Sequence, residues 1–421
     1  MYVLAALAGC APSEQTAQSA ADANAGSSAE VASEARFAPP VRTVGVVQLY
    51  AGDPGTLPVA TLGSGETLTL AFDLLADRGR ALSISFAHAD RTWRRDLSTP
   101  QYMESFSNDT ILEYTRSRGT QVPYVHYRYT FPNDDIRFRV SGNYIVRVAE
   151  QGRPDNVLFE RPFFIDESGG SLSLGSESII VTGQRQPSVR PVARFTPPDA
   201  LRGNPFGYNV CFARNALWSQ SRCAERPLLA ERPALRFELD RQAAFAPRAL
   251  SYTLDLRALR PGGDIDRIDR SGAPFRVVLE PDAAQFPDAG FRNGPLAGPA
   301  VDAFGRSEPD VTAEYVRTTF ALVPPNEQPL PQAPVLRGTF NGPSPKDQHA
   351  LQWRAQRQRY EGDVLLKQGR YQYEYQLDAA TRNALQRQTA SFAADVYTTF
   401  VYYRDVSPAT DRLLSVGTLR P

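Results

Sequence analysis

The amino-acid sequence predicts an all-β protein in which tandem immunoglobulin-like β-sandwich domains follow a disordered N-terminal tether. Three observations carry this prediction. Apolar residues recur at every second position in many segments, the 421 residues include 34 prolines and 29 glycines, and few segments show a helical spacing of apolar residues. A period of two is typical of half-buried antiparallel strands, and frequent proline and glycine favour short strands joined by turns. The length alone predicts two or three domains.

Residues 1–10 are expected to be the remnant of a lipoprotein signal. An apolar stretch ends at Cys10, and the tetrapeptide Leu7-Ala8-Gly9-Cys10 resembles a bacterial lipobox, in which the cysteine becomes lipidated. No basic residue precedes the stretch, so we expect the true start to lie upstream of Met1. The alternative is an apolar terminus with a chance cysteine. Ala11, rather than an aspartate, follows Cys10, which favours a lipid anchor on the periplasmic face of the outer membrane.

Residues 11–37 are predicted to form a flexible linker. The segment is rich in alanine, serine, glutamine and glutamate, and it contains no aromatic residue before Phe37. Such a composition cannot bury a hydrophobic core, so the segment is expected to stay extended in water. About 26 flexible residues have a root-mean-square reach of ~30 Å, which suffices to hold a folded body away from a membrane surface.

The remaining chain is predicted to contain strands throughout. Residues 68–74 (LTLAFDL) and 371–377 (YQYEYQL) are clear examples of the alternating pattern. A serine- and glycine-rich segment at residues 166–175 and a change from a Gly/Pro-rich to a polar sequence near residue 308 suggest two boundaries. We therefore expect three β domains, at residues 38–168, 175–308 and 309–421.

Charge and motif content exclude several classes of protein. The 46 basic residues balance 46 acidic ones, which argues against nucleic-acid binding and against a polybasic membrane protein. The sequence contains no stretch of about 20 apolar residues, so it predicts no transmembrane helix. Nucleophile-elbow, phosphate-loop and zinc-protease motifs do not occur, and His88, His126 and His349 are scattered. The sequence therefore predicts a protein that is not an enzyme and that needs no metal or other cofactor.

Cys211 and Cys223 are a candidate disulfide. They lie twelve positions apart in a segment with strand character, and the export signal implies an oxidising compartment. A bridge between two strands of a hairpin would stabilise the fold by ~3 kcal/mol in the chain-entropy model. The alternative is a pair of free buried thiols.

A series of short motifs runs along the first third and the last third of the chain in a recognisable order. In the first third they are Val41-Arg42-Thr43-Val44, Gln48-Leu49-Tyr50, residues 68–74, Trp93, residues 102–114 (YMESFSNDTILEY), residues 124–133 (YVHYRYTFPN) and Ser141-Gly142-Asn143-Tyr144. In the last third they are Glu314-Tyr315-Val316, residues 338–341 (GTFN), residues 366–375 (LKQGRYQYEY), Tyr402-Tyr403-Arg404 and Asp411-Arg412-Leu413. The first series resembles the N-terminal domain of the type IX secretion system plug protein family, and the second is similar to that family's final domain.

The resemblance implies a function that depends on surfaces rather than on chemistry. Members of the family lie in the periplasm and close the inner mouth of a giant outer-membrane β-barrel that exports folded proteins. By resemblance, the expected partner is therefore an outer-membrane β-barrel translocon protein, and the expected role is sealing the barrel or docking on it. A lipid on Cys10 would add a membrane attachment.

The motif residues have predicted structural roles as well as possible docking roles. Trp93, Tyr102 and Phe106 are expected to be aromatic anchors of the first sandwich core. His126 is expected to be a partly exposed, hydrogen-bonded side chain on the face opposite Tyr127. The full set of motif residues that could contribute to docking is Trp93, Tyr102, Phe106, Asn108, Tyr114, His126, Tyr127, Asn133, Gly142, Asn143 and Tyr144.

The loops of the first domain are the predicted docking edge, because this domain carries the densest block of motifs. They comprise residues 96–114 and 134–143. Two other functions stay open. Residues 338–341, Trp353 and the alternating tyrosines of residues 371–375 favour a glycan-binding module, provided that these aromatic side chains are exposed. A purely scaffolding envelope lipoprotein is the other alternative.

Overall fold

A computed structural model describes residues 37–182, 187–215, 221–229, 233–246, 251–283, 296–342, 349–378, 381 and 395–420. Strands dominate these ranges, so the all-β prediction is confirmed. Six sheets form three sandwiches, which we name domain A (residues 37–167), domain B (residues 168–246 and 395–420) and domain C (residues 251–378). Within the described ranges, no helix is long and apolar enough to cross a membrane.

Domain A contains nine strands and one short helix. The strands are β1 (Val44–Ala51), β2 (Val59–Thr61), β3 (Leu68–Leu74), β4 (Leu82–Ala89), β5 (Asn108–Ile111), β6 (Tyr114–Arg116), β7 (Val125–Phe131), β8 (Gly142–Glu150) and β9 (Arg153–Asp166), and helix α1 is Thr99–Tyr102. One sheet has the order β1-β3-β7-β6, and the other has the order β2-β9-β8-β4-β5. Alternate side chains, such as Phe72 and Ile84, fill the core between the two sheets.

The chain then begins domain B and leaves it again. The first strands of domain B are β10 (Ser171–Ile179), β11 (Ser188–Thr196), β12 (Tyr208–Arg214), β13 (Arg222–Ala224) and β14 (Leu235–Glu238). Domain C follows with β15 (Ser251–Asp255), β16 (Ile265–Asp269), β17 (Arg276–Leu279), β18 (Asp282–Ala283), β19 (Ala300–Val301), helix α2 (Pro309–Thr312), β20 (Tyr315–Val323), β21 (Val335–Gly338), β22 (His349–Ala350), β23 (Gln352–Arg354), β24 (Arg359–Lys367) and β25 (Gly369–Gln376). The chain returns to domain B with β26 (Tyr397–Arg404) and β27 (Asp411–Leu419). Short 3-10 helices lie at Asp199–Leu201, Pro205–Gly207, Arg241–Ala243, Pro325–Glu327 and Ala355–Arg357.

Domain C is inserted into domain B. The sheets of domain B have the orders β10-β11-β14 and β13-β12-β26-β27, so the last two strands of the chain complete a sheet begun by β12 and β13. The main strand paths of domain C are β15-β25-β21-β22 and β16-β17-β20-β24-β23. The predicted boundary between residues 308 and 309 does not follow these sheets, because β15 pairs with β25 and β17 pairs with β20 across it. An alternating pattern of apolar residues identifies a strand, but it does not show which other strand the first one pairs with.

Two further expectations about boundaries need correction. Strand β10 begins at Ser171, so part of the segment expected to link domains at residues 166–175 is already a strand. Phe37, the last residue of the predicted linker, is buried against Trp93 and belongs to the folded body. Cys10 and the rest of the predicted tether lie outside the described residues.

Domain A lies between the other two domains. Strand β24 of domain C packs against β1, and α2 packs against β7, both on the first sheet of domain A. Strand β27 of domain B packs against β8 and β9 of the second sheet. As a consequence, β3 is buried at all of its positions, on the core side by domain A itself and on the outer side by domain C.

Candidate docking edge and domain interfaces

Motif residues from the two ends of the chain meet at the domain interfaces. The Tyr402 hydroxyl donates to Oδ1 of Asn143 at 2.8 Å, between domains B and A. The Tyr124 hydroxyl donates to the Ala313 carbonyl at 2.9 Å, between domains A and C. Many of the residues that carry the sequence pattern therefore hold domains together within this chain, and they are not free to contact a partner.

A buried ion pair lies at the centre of the interface between domains A and C. Nζ of Lys367 is 2.6 Å from Oδ2 of Asp73, and both side chains are 0% exposed. The Tyr315 hydroxyl donates to the same carboxylate oxygen at 2.7 Å, and the lysine also donates to the Asp310 carbonyl at 2.7 Å. Removing one member of such a pair leaves an uncompensated buried charge, which is strongly destabilising.

The surroundings of this pair stabilise its charged form. Burial opposes ionisation of Asp73, but Lys367 and His126 outweigh burial and hold the pKa of the Asp73 carboxyl below its ordinary value. The ammonium lies 4.2 Å from the centre of the Tyr124 ring and 5.8 Å from that of Tyr315, in a cation–π arrangement. Burial raises the pKa of both tyrosine hydroxyls, so they remain protonated donors.

His126 belongs to the same interface. Its Nδ1 lies 2.8 Å from Oδ1 of Asp73, and the side chain is buried. The expectation of a partly exposed histidine was wrong, because domain C covers this face of β7. Within the part of the chain that the structure describes, Nε2 has no hydrogen-bond partner, and Oδ2 of Asp310 is 3.8 Å away.

Aromatic rings form the apolar part of the interface between domains A and B. Ring centroids are separated by 5.3 Å for Phe37 and Trp93, by 5.4 Å for Trp93 and Phe164, and by 4.8 Å for Phe164 and Phe400. Trp93 is buried, as an anchor should be, but it packs in this interface and not in the core of domain A. Aromatic pairs of this kind contribute ~0.5–1.5 kcal/mol beyond the burial of their area.

The disulfide lies next to this aromatic cluster. Cys211 on β12 and Cys223 on β13 occupy directly paired positions, and the structure joins them by a disulfide with a Cα–Cα distance of 4.0 Å. Both residues are buried in the same cluster as Phe400. The bridge thereby fixes the edge strand β13 to the sheet that packs against domain A.

Ion pairs surround the aromatic cluster. Arg91 contacts the Asp411 carboxylate at 3.3 Å, and Glu167 contacts Arg412 at 2.6 Å. Oγ of Ser141 donates to Glu167 at 2.6 Å, which draws the turn before β8 into the interface. The end of the predicted docking loop at residues 134–143 is therefore buried against domain B and is not available to a partner.

The other predicted loop carries exposed apolar side chains. Phe106 is 72% exposed and Leu112 is 67% exposed, at either end of β5, which is the edge strand of its sheet. Asn108 opens β5 and is exposed, and Tyr114 opens β6, the edge strand of the other sheet. We name Phe106, Asn108, Leu112 and Tyr114 the docking edge.

Phe106 was expected to be a core anchor, and this expectation was wrong. Helix α1 turns Tyr102 into the core, where its hydroxyl donates to the Phe86 carbonyl at 2.9 Å. The chain then runs outward to Phe106 before it joins the sheet at β5. Sequence spacing cannot show this change of direction, because the side-chain period is interrupted between helix and strand.

The remaining motif residues have structural roles inside domain A. Tyr127 stacks on Phe72 in the core, with ring centroids 5.1 Å apart. Oδ1 of Asn133 accepts from the backbone amides of residues 135 and 136 and closes the turn after β7. The Tyr144 hydroxyl donates to the Val140 carbonyl at 2.6 Å. Gly142 opens β8 at the interface with domain B.

The comparisons with known proteins agree with this division of the chain. Residues 41–167 match the family model of the type 9 secretion system plug protein 1st domain. The matched range coincides with domain A, and the resemblance predicted from the sequence motifs is confirmed over it. The match relates domain A to the first domain of that family's plug proteins.

Solved structures support the whole fold. The chain is similar to a hypothetical protein from Parabacteroides merdae, with a TM-score of 0.78, 23% identity, and coverage of 91% of this chain and 99% of that chain. The similarity to this solved structure therefore covers the fold of domains B and C as well as that of domain A. An alkylpurine DNA glycosylase from Pseudomonas fluorescens aligns over 29% of this chain and 30% of its own, at 14% identity and a TM-score of 0.17, and this alignment carries no argument. No match was found among curated proteins.

Sequence reasoning did not single out the two residues at the centre of the interface with domain C. Asp73 is the one charged residue in the largely apolar segment LTLAFDL, and Lys367 is one of two lysines in the chain. Both features could have marked the positions as unusual. Their pairing could not be foreseen, because 294 positions separate them along the chain.

The aromatic residues of the glycan-binding alternative are mostly buried. Tyr371, Tyr373 and Tyr375 lie in the core of domain C, and the last two donate to the Asp282 carboxylate. Trp353 is half-buried against Tyr360. A sugar-stacking platform needs exposed ring faces, so these residues do not supply one.

Proposed function

We propose that the protein is a docking or sealing subunit of a type IX secretion system and that it acts on a large outer-membrane β-barrel from the periplasmic side. In this proposal it performs no chemistry, and a lipid on Cys10 anchors it to the outer membrane. The observation that carries the proposal is the match of domain A to the plug protein 1st domain. The arrangement of the three domains supports it in two further ways.

The first support is the surface that domain A leaves free. The outer faces of both its sheets contact other domains of the same chain, so a partner must use its edges and loops. Phe106 and Leu112 are exposed on such an edge and flank the unpaired side of β5. Exposed aromatic and aliphatic anchors next to a free strand edge are typical of protein interfaces.

The second support is the way the domains are joined. A buried ion pair connects domains A and C, and aromatic stacking together with ion pairs connects domains A and B. A subunit that covers the mouth of a barrel must withstand the passage of folded cargo without separating into loose modules. Three sandwiches held by buried contacts provide such a body.

The proposal is tested by co-purification from outer membranes. The double variant F106S/L112S should lose the co-purifying β-barrel, because both substitutions remove apolar anchors of the docking edge. The matched control is I180S/F206S, which removes two exposed apolar side chains from domain B and should retain the barrel. Equal recovery of the barrel with both variants would contradict the docking edge, and no barrel with the wild-type protein would contradict the proposed function.

The scaffolding alternative is distinguished by the phenotype of a deletion. A docking or sealing subunit should change secretion or barrel permeability when it is removed, whereas a scaffold of unrelated components should leave both unchanged. The lipid anchor is tested separately by metabolic labelling with palmitate, which should label the wild-type protein and not the Cys10→Ser variant.

A further inference from the structure

His88 lies fully buried on β4, where domain A meets domain B. Its Nδ1 is 2.8 Å from Oδ1 of Asp96, and its Nε2 is 3.2 Å from the carbonyl oxygen of Ser141. The second oxygen of Asp96 accepts a hydrogen bond from the Thr410 hydroxyl of domain B at 2.5 Å. The His88–Asp96 pair thus connects the core side of domain A to the other domain.

Both neighbours of the imidazole are acceptors. A backbone carbonyl has no proton to give, and neither has an ionised carboxylate, so each ring nitrogen must supply a proton of its own. A neutral imidazole carries only one. We propose that His88 is held as an imidazolium ion and that its proton makes the attachment of domain A to domain B dependent on pH.

The state of Asp96 supports this assignment. Burial opposes its ionisation, but the hydrogen bonds from His88 and Thr410 outweigh burial and lower the pKa of the Asp96 carboxyl. The carboxylate is therefore the negative partner. A buried ion pair is stable only when both partners carry their charge, because the site is shielded from water.

The other groups that face His88 do not compete for its proton. The Tyr144 ring from β8 meets the imidazole edge-on at 5.0 Å, and burial raises the pKa of its hydroxyl. The Tyr102 ring from α1 lies 6.2 Å away, and its hydroxyl donates to a carbonyl. From domain B, the Asp411 carboxylate is paired with Arg91 and Arg404. Glu167, which holds Ser141, is paired with Arg412.

Gly142 has no side chain, and this lets the backbone before β8 lie close to the His88 imidazole. Its φ of 147° lies in a region that favours glycine, and a Cβ built on it would come within 2.4 Å of Nε2 of His88. The backbone can therefore approach the imidazole closely enough for Nε2 to reach the Ser141 carbonyl.

His126 at the interface with domain C provides an internal comparison. Its Nδ1 also meets a carboxylate, that of Asp73, but its Nε2 has no hydrogen-bond partner among the described residues. Its Nε2 faces the Asp310 carboxylate at 3.8 Å, beyond hydrogen-bond distance, so His126 lacks the second hydrogen bond that Nε2 of His88 makes.

The sign of the pH effect follows from the contacts. When His88 loses its proton, one ring nitrogen presents a lone pair to an acceptor inside a buried site, which costs a hydrogen bond and leaves the acceptor unsatisfied. The contact between domains A and B is therefore complete while His88 is charged, and it weakens as pH rises.

Nitrogen NMR of the ¹⁵N-histidine-labelled full chain at neutral pH tests the charge directly. The chain has three histidines, and the variants H126Q and H349Q assign the signals by elimination. We expect two protonated ring nitrogens for His88. A neutral tautomer for His88 would overturn the proposal.

Thermal unfolding from about pH 6 to about pH 9 tests the consequence. The difference in melting temperature between the wild type and H88Q should be largest at the acidic end and shrink as pH rises. A constant difference for H88Q would overturn the proposal, and if H88Q does not fold, the pH titration of the wild-type NMR signals gives the answer.

Discussion

At the scale of single residues, identity matters most where charge is buried between domains. Lys367 is one of two lysines among 46 basic residues, and its ammonium lies between the Asp73 carboxylate, a carbonyl and two aromatic rings. A lysine has a compact charged head on a flexible stem, whereas arginine presents a broad planar fork. The site accommodates the compact head, so a charge-conserving exchange is not conservative there.

Substitution of Lys367 by methionine is expected to destabilise the protein by about 3–5 kcal/mol, because it leaves the Asp73 carboxylate buried without its cation. Urea unfolding measures the change. The matched control is R276M, which breaks the ion pair between Arg276 and Asp363 in a largely exposed position and should cost less than about 1 kcal/mol.

A double-mutant cycle separates the ion pair from general packing. In D73N/K367M the buried charge is gone, so the double variant should be more stable than the sum of the two single effects predicts. Strict additivity would mean that Asp73 and Lys367 do not stabilise one another.

Stability in acid should depend on Asp73. Its pKa is lowered in the folded protein, so the stability it contributes is complete above the unfolded value of about 3.9 and is lost as pH falls through the lowered folded value. The difference in unfolding free energy between the wild type and D73N should therefore shrink below about pH 4. A difference that stays constant from neutral pH into acid would contradict this.

At the scale of elements, several strands of domain A are covered on both faces. Strand β8 contributes Tyr144, Val146 and Val148 to the sandwich core, while Asn143 and Ile145 face domain B. An ordinary sandwich strand has one face in water. The second contact explains why near-continuous burial occurs in antiparallel sheets of this protein.

The start of β8 is sensitive to a small substitution. Gly142→Ala should destabilise the protein by about 1–3 kcal/mol, because the new methyl group would meet the His88 ring and the backbone of domain B at a φ that alanine avoids. Gly175→Ala is the control, since a Cβ there meets nothing within 4 Å, and it should be neutral or slightly stabilising. Chemical unfolding compares the two variants.

The disulfide should matter through the strand that it fixes. Removing it in C211A/C223A is expected to lower stability by about 3 kcal/mol, because the loop between β12 and β13 is no longer closed in the unfolded chain. Unfolding with and without reductant checks the cause. The wild type should shift with reductant, and the double variant should not.

At the scale of the whole molecule, the insertion of domain C makes the order of the chain differ from the order of the domains. The entry and exit of the insertion lie close together, because Nη1 of Arg214 contacts the Ala246 carbonyl at 2.6 Å and the Asp395 carboxylate at 3.5 Å. Domain C thus leaves and rejoins domain B at one place. From there it reaches domain A through Lys367.

This topology predicts different outcomes for two deletions. Truncation after residue 378 removes β26 and β27. Strand β12 then loses β26, its neighbour in the sheet, and domain B should not fold. Replacement of residues 247–394 by a short glycine–serine linker retains every strand of domains A and B, and the product should fold. Circular dichroism and limited proteolysis distinguish the outcomes, and a folded domain B in the truncated chain would contradict the observed topology.

Particular residues show where sequence reasoning succeeded and where it failed. Alternating side chains predicted strands such as β3 and β25, and the motif order predicted the family of domain A. The exposure of Phe106, the burial of His126 and the partners of Asp73 were out of reach. The burial of His126 and the partners of Asp73 depend on which surfaces of domain A are covered by segments far away in the chain, and the exposure of Phe106 depends on the change of direction between α1 and β5.

The sequence by itself determined the all-β class and the relation of domain A to the secretion plug family, because side-chain period and motif order are local properties that survive without coordinates. Only the tertiary structure decided that domain C is inserted into domain B, that domain A lies between them, and that many motif residues serve these internal contacts. The physical reason is that a strand carries its own pattern of burial, but its hydrogen-bond partner and the domain that covers its outer face are set by the packing of the whole chain.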